Sequence, residues 1–463
     1  MTQALSDTFT SWEPIEEGEL RTRIVQVLRE LVQHYKEPEQ VRERMRKVPA
    51  QQLDGYSYDR WIDVSLASGF PGICLLMGEL DRLFPGEGWD KVGHKCLQLL
   101  QKTIEKEGIV HLSLFNGLAG ILAGTYSLSR GGTRYQGMTD VLANYYEQAM
   151  RSRLVHIREA WQTGHISMGD YDVIQGLSGM GRIAMLHKER PMMEQLWEET
   201  SQLLHLLCVG KEVNGFLVPS WHISSKYQFS VEDRINYPNG NFNLGLSHGI
   251  AGPLAFLSIS YLNGMRTATI EKDIETLAEF ICKWSIEYDH GIIFAGKVSF
   301  EEWKKDKLST EINKGYRDSW CYGVPGIARA LWLAGRALKR DKWIRLGMKA
   351  YADIEKRADR KGGFTSGTIC HGVGGVLHLV QRMYTETKND GLKRLRDQFA
   401  REMLDFYEPE SVFGYYDESY LDDGACKKVD ESGFLTGAAG VALILASLLN
   451  KQSPEWDIVL MIQ

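Results

Sequence analysis

Apolar residues fall along this chain in two alternating patterns. In ELRTRIVQVLRELVQHY, DVLANYYEQAMRSRL and MEQLWEETSQLLHLL they return every three or four positions, with charges between them. That spacing predicts helices with one buried face. Other stretches, ICLLMGEL, PLAFLSIS, IARALWLAG and VALILASLL, are apolar at nearly every position and predict helices buried on all sides. Each stretch of the second kind follows a Gly-x-x-Gly pair. There are seven such pairs: Gly69/Gly72, Gly117/Gly120, Gly176/Gly179, Gly249/Gly252, Gly323/Gly326, Gly372/Gly375 and Gly437/Gly440. Among 46 glycines some pairs arise by chance, so the weight rests on the apolar context that follows every one of them.

The expected unit is a glycine turn that opens a buried helix. The first glycine would supply a backbone conformation closed to other residues, and the second a close approach between helix ends. Each repeat then contributes an outer amphipathic helix and an inner apolar helix. Seven such pairs around one core predict an all-α, seven-fold α/α toroid spanning 1–463. The intervals Gly176 to Gly249 and Gly249 to Gly323 are the longest. They contain GFLVPSWHISSKYQFSV and GIIFAGKVSF, rich in β-branched and aromatic residues. Strands are expected there, in a small β-containing lobe inserted at about 211–243 and 287–316.

Aligning the repeats on the first glycine brings the candidate chemistry together. The residue before it reads Ser68, Asn116, Gln175, His248, Tyr322, His371 and Thr436. The residue before that reads Ala67, Phe115, Ile174, Ser247, Cys321, Cys370 and Leu435. Two cysteines and two histidines thus occupy equivalent places in three consecutive repeats, and the register would bring them to one mouth of the cavity. Cys321, Cys370 and His371 make a Cys₂His set that suits zinc and leaves a fourth position open, as catalytic zinc requires. Alone, each cysteine reads as a buried core thiol. His248, next to that set, fits general acid–base work or a hydrogen-bonded structural role. Asp172, four residues before Gly176, fits either a catalytic carboxylate or a turn cap. Arg317, four residues before Cys321, fits charge compensation or an ion pair with Asp318 or another carboxylate.

Composition narrows the partners. The net charge of -6 argues against a nucleic-acid surface. No apolar run approaches the roughly 18 residues of a membrane helix, and the acidic start MTQALSDTFTSWEPIEEGEL has no signal-peptide core. A cytoplasmic protein is expected. Seven scattered cysteines do not form a disulfide framework.

The segments YDVIQGLSG (171–179), NLGLSHGIAG (243–252), RDSWCYGVPG (317–326), CHGVGG (370–375) and ESGFLTGAAG (431–440) together resemble the lanthionine synthetase C-like (LanC) family. Within it they are most similar to the stand-alone cyclases of nisin-type lantibiotic biosynthesis. The likeness runs from about residue 65 to the C-terminus. It implies one zinc ion on Cys321, Cys370 and His371, catalytic roles for His248 and Asp172, and active-site places for Arg317 and Tyr322. The implied reaction is Michael-type addition of cysteine thiols in a dehydrated precursor peptide to dehydroalanine or dehydrobutyrine. The resemblance also implies a complex with a dehydratase and a peptide transporter at the inner membrane face. Two other readings share the residues: a eukaryotic-type LanC-like protein that adds glutathione to dehydro residues, and a non-catalytic zinc scaffold for thiol peptides. An α/α-barrel glycosidase or terpene cyclase would need carboxylate clusters at the repeat mouths, which the sequence lacks.

Overall fold

A computed structural model describes residues 12–53, 56–288, 291–309, 318–358, 363–420 and 426–463. The chain divides into two compact units, one of residues 1–144 and 360–457, the other of 145–359 and 458–463. Fourteen helices carry the two patterns read from the sequence. The amphipathic ones are α1 (Glu19–Gln33), α3 (Trp89–Glu107), α5 (Gln136–Gln162), α7 (Pro191–Cys208), α9 (Ile270–Lys283), α11 (Asp341–Ala352) and α13 (Asp390–Asp405). The apolar ones are α2 (Phe70–Leu83), α4 (Leu118–Ser127), α6 (Leu177–Leu186), α8 (Ala251–Leu262), α10 (Val324–Leu338), α12 (Val373–Thr387) and α14 (Ala438–Leu449). Every residue of α14 is buried. Burying each of its Leu, Ile and Val side chains contributes about 1.5–3 kcal/mol.

In the first unit the apolar helices pack in the order α12, α14, α2, α4, and in the second α6, α8, α10. An amphipathic helix packs on the apolar helix that precedes it: α3 on α2, α7 on α6, α9 on α8, α11 on α10, α13 on α12. The last apolar helix, α14, has no amphipathic helix after it, and α1 from the start of the chain takes that place.

Backbone hydrogen bonds join the turns in front of the apolar helices. In the first unit the Cys370 N–H donates to the Leu435 carbonyl, Leu435 to Ala67, and both Leu66 and Ala67 to Phe115. In the second unit Val173 donates to Ser247, and Leu246 and Ser247 to Cys321. The acceptor is always the residue two places before the first glycine of the next turn in the packing order. Sequence alignment on the glycines is therefore a physical register.

The glycines serve this register by close approach. A Cβ on Gly69 would sit 1.9 Å from the Ile62 carbonyl oxygen, and one on Gly440 would sit 2.0 Å from that of Phe434. The expectation of a special backbone conformation at every first glycine is corrected: only Gly323, at φ 104°, has a positive φ. The turns fold so tightly over themselves that a side chain, rather than a torsion angle, is what most of these positions forbid.

Strands are short and form two-stranded pairs. Gly210–Val213 and Phe216–Pro219 form a hairpin around Asn214 and Gly215, both at positive φ, as a two-residue hairpin turn demands. Beyond this hairpin, GFLVPSWHISSKYQFSV makes a single β-bridge from Ile223 to Asn241, a 3₁₀ turn and the start of a short helix at Val231–Asn236, so only part of that expected strand region is strand. Asn241–Asn243 pairs with Lys297–Ser299, and Phe242 meets both Phe280 and Trp303.

Gly69→Ala should lower unfolding stability by at least about 2 kcal/mol in urea denaturation, because the obstacle is backbone carbonyl and cannot swing away. An unchanged midpoint would show that the turn relaxes freely.

Candidate active site

The second unit assembles His248, Asp172, Tyr322 and Cys321 from three consecutive turns. Asp172 ends a short helix, Met168–Tyr171, and is 1% exposed. One of its carboxylate oxygens, Oδ1, accepts from the backbone N–H groups of Gln175 at 2.6 Å and Gly176 at 2.8 Å. The other, Oδ2, lies 2.6 Å from His248 Nδ1. The turn-cap role that the sequence left open for Asp172 is thus filled, and the same side chain reaches His248. The carboxylate closes the turn before α6 and holds the imidazole. With Nδ1–H donating to a buried carboxylate, Nε2 is the nitrogen of the ring that remains to exchange a proton. The His248 side chain keeps 26% exposure, so a substrate can reach it.

Tyr322 lies beside His248, with ring centroids 6.4 Å apart. Its hydroxyl oxygen accepts from Asn243 Nδ2 at 2.8 Å. Burial pushes the Tyr322 phenol well above its ordinary range, against a smaller lowering by the Asn243 hydrogen bond. It stays protonated at neutral pH. Gly245 makes room for that ring, since a Cβ there would lie 2.6 Å from Tyr322 Cδ1. Asn243 is itself fully buried and also accepts from the Gly245 N–H at 3.0 Å. Sequence reasoning did not single out Asn243. Its signal was a polar residue opening NLGLSHGIAG, ahead of the small and apolar residues that lead to Ser247 and His248. Phe229, at 65% exposure, stands 5.7 Å from the His248 ring between centroids.

Cys321 is buried, and its carbonyl accepts from Leu246, Ser247 and the Ser247 hydroxyl. This ties the Cys321 turn directly to the His248 turn. The Ser319 hydroxyl lies 3.5 Å from Cys321 Sγ, within reach to support a thiolate. Trp320, immediately before the cysteine, is fixed by donating to the Leu460 carbonyl at 2.9 Å. Arg317 lies outside the described residues. Asp318, its neighbour in sequence, pairs with Arg357 at 3.0 Å.

Cys370 and His371 belong to the first unit. The Cys370 N–H is held by the Leu435 carbonyl. His371 Nε2 lies 3.3 Å from Asp417 Oδ1, which leaves Nδ1 as the nitrogen for a metal, in the carboxylate–histidine arrangement common around bound metals. Asp417 too went unnoticed in the sequence, because it stands on a strand between two repeats. Two thiols and an imidazole are the donor chemistry of a zinc site. The three are divided between the two units, and among the described residues no three His, Cys, Asp or Glu side chains are grouped to hold a metal.

A model of the lanthionine synthetase C-like protein family matches residues 60–461. The chain belongs to that family. The nisin biosynthesis protein NisC of Lactococcus lactis subsp. lactis is 27% identical over 388 residues, covering 83% of this chain and 85% of NisC. A solved structure of a nisin cyclase matches with a TM-score of 0.76 at 25% identity, over 94% of this chain and 97% of that one. The mostly helical toroid of the LanC type, expected from the glycine repeats, is the fold of this chain.

The double use of Asp172 gives a separable pair of variants. Asp172→Asn keeps a carbonyl acceptor for the turn and disturbs only the His248 bond, so it should cost less stability than Asp172→Ala. Asp172→Ala strands the buried Gly176 N–H and removes the acceptor of the Gln175 N–H, and should cost about 1–3 kcal/mol. Equal thermal-melting losses in the two would contradict the turn-closing role.

Proposed function

We propose that this chain is a cyclase of lantibiotic biosynthesis. It adds cysteine thiols of a dehydrated precursor peptide to dehydroalanine and dehydrobutyrine, forming lanthionine and methyllanthionine rings. The observation that carries this reading is the Asp172–His248 pair at 2.6 Å, set against the Cys321 turn by shared backbone hydrogen bonds, in a chain of the lanthionine synthetase C-like family. NisC, matched over most of its length, is by its name a nisin biosynthesis protein.

Cys321, Cys370 and His371 would hold zinc, with Ser319 and Asp417 behind them. When bound, the metal supplies a Lewis acid that keeps a substrate thiol ionised at neutral pH. The remaining chemistry belongs to side chains. The substrate thiolate forms a carbon–sulfur bond at the β-carbon of the dehydro residue, and the electrons of the carbon–carbon double bond move to give an enolate. His248 Nε2 delivers a proton to the α-carbon and so completes addition of S–H across the double bond. Asp172 orients the ring and stabilises the imidazolium from which that proton comes. Tyr322 contributes a neutral hydroxyl beside His248, positioned by Asn243. Arg317 would offset negative charge near the enolate.

In this reading the segments 211–243 and 287–316 make one inserted lobe in a single catalytic domain, supported by the pairing of Asn241–Asn243 with Lys297–Ser299. The substrate is the precursor peptide, and a dehydratase and a transporter are the partners that the family resemblance supplies. No helix among the described residues is long and apolar enough to cross a membrane, which fits a cytoplasmic protein held at the membrane face through such partners.

Purified protein should carry about one zinc per chain and consume thiols of a dehydrated precursor peptide. Cys321→Ala should lose both. His248→Ala should keep the metal while ring formation falls about 10²–10⁴-fold. Metal-free wild type, or zinc-loaded protein that leaves every candidate peptide unchanged, would overturn the cyclase reading.

A further inference from the structure

The first unit carries a groove of about 520 Å³ that the chemistry above does not use. It is bounded by two backbone stretches, 47–51 and 427–430. In each, consecutive residues line the groove. Neighbouring residues of a strand point to opposite faces, so a groove touched by all of 427–430 runs along the strand's edge. Among the described residues Cys426–Asp430 pairs on one side only, with Tyr416–Tyr420. Gln51–Leu53, of which Gln51 lines the groove, pairs among the described residues with Tyr56–Tyr58 alone. An unpaired edge is a template for another extended chain.

The charge along this groove is one-sided. Arg44, Lys47, Arg60, Lys427 and Lys428 line it. Arg60 is engaged by Glu431 and Lys428 by Glu408, but Arg44, Lys47 and Lys427 are exposed and have no carboxylate partner among the described residues. The one acidic lining residue, Asp430, is turned to the protein, accepting from the Ser411 hydroxyl and the Val412 N–H at 2.7 Å each. Between the cations the walls are apolar: Val48, Val412 and Val429. In a chain of net charge -6, a local cationic groove with an apolar lining selects for an anionic ligand that also carries apolar groups.

We propose that this groove binds an extended peptide segment in which acidic and apolar side chains alternate. The segment pairs with the strand edge, its carboxylates meet Arg44, Lys47 and Lys427, and its apolar side chains meet the valines. Resting on the cyclase reading, the segment belongs to the substrate peptide outside the residues being cyclised. It anchors the chain while successive rings form, which lowers KM without changing kcat.

The probe is a short fluorescein-labelled peptide alternating aspartate and valine, followed by anisotropy on the full chain. The wild type should bind it, more weakly as salt rises. Arg44→Glu/Lys47→Glu/Lys427→Glu should bind at least about tenfold more weakly, and a lysine–valine peptide should not bind. The single variants Lys47→Glu and Lys427→Glu, each at an exposed position, should each lose about threefold and replace the triple variant if it fails to fold. Equal binding by the variants, equal binding of the lysine peptide, or a preference for phosphatidylserine vesicles over the acidic peptide would overturn the proposal. Anisotropy needs no ring formation. A chain that makes rings but ignores the peptide contradicts the groove alone, and one that binds the peptide but makes no rings contradicts the cyclase reading alone.

Discussion

Five of the glycine turns donate a backbone hydrogen bond to the carbonyl two residues before the glycine of their packing neighbour, and the candidate site depends on that contact. The bond is made by the main chain, so it holds whatever side chain stands there. Ala67, Phe115, Ser247, Cys321 and Leu435 all serve as acceptors. The side chains at those places are therefore left available for function, while the repeat keeps its register. The glycine pairs make the contact possible, since a Cβ at Gly69 or Gly440 would overlap the carbonyls that shape the turn.

The same economy recurs at Asp172. A buried carboxylate without partners would be costly. Here one oxygen is satisfied by the turn it closes and the other by His248. The imidazole is oriented by a group that the fold already requires. Tyr322 is handled in a related way: Asn243 fixes its hydroxyl and is itself held by the Gly245 N–H. Reactive groups are thus presented by backbone turns at helix starts, where small residues let neighbouring turns approach, and not by long flexible loops.

Much of this was legible in the sequence because apolar periodicity and glycine spacing are local signals. They gave the two helix classes, the aligned cysteines and histidines, and the places of Asp172 and His248. What escaped notice depends on partners distant in sequence. Asn243 matters because Tyr322 lies against it, and Asp417 because His371 does. The pairing of α1 with α14 joins opposite ends of the chain, which no local period encodes. The glycine turns were expected to need unusual torsions, and most of them need space instead. From the sequence alone, both demands look like glycine.

The central claim is that Asp172 and His248 act as one unit in ring formation. The most direct test is a double-mutant cycle on the cyclisation rate, with Asp172→Asn, His248→Ala and the pair. Residues that work through one proton transfer are strongly non-additive. The double variant should be no slower than His248→Ala, because Asp172 has nothing left to orient. Losses that multiply in the double variant would show two independent roles and contradict the account.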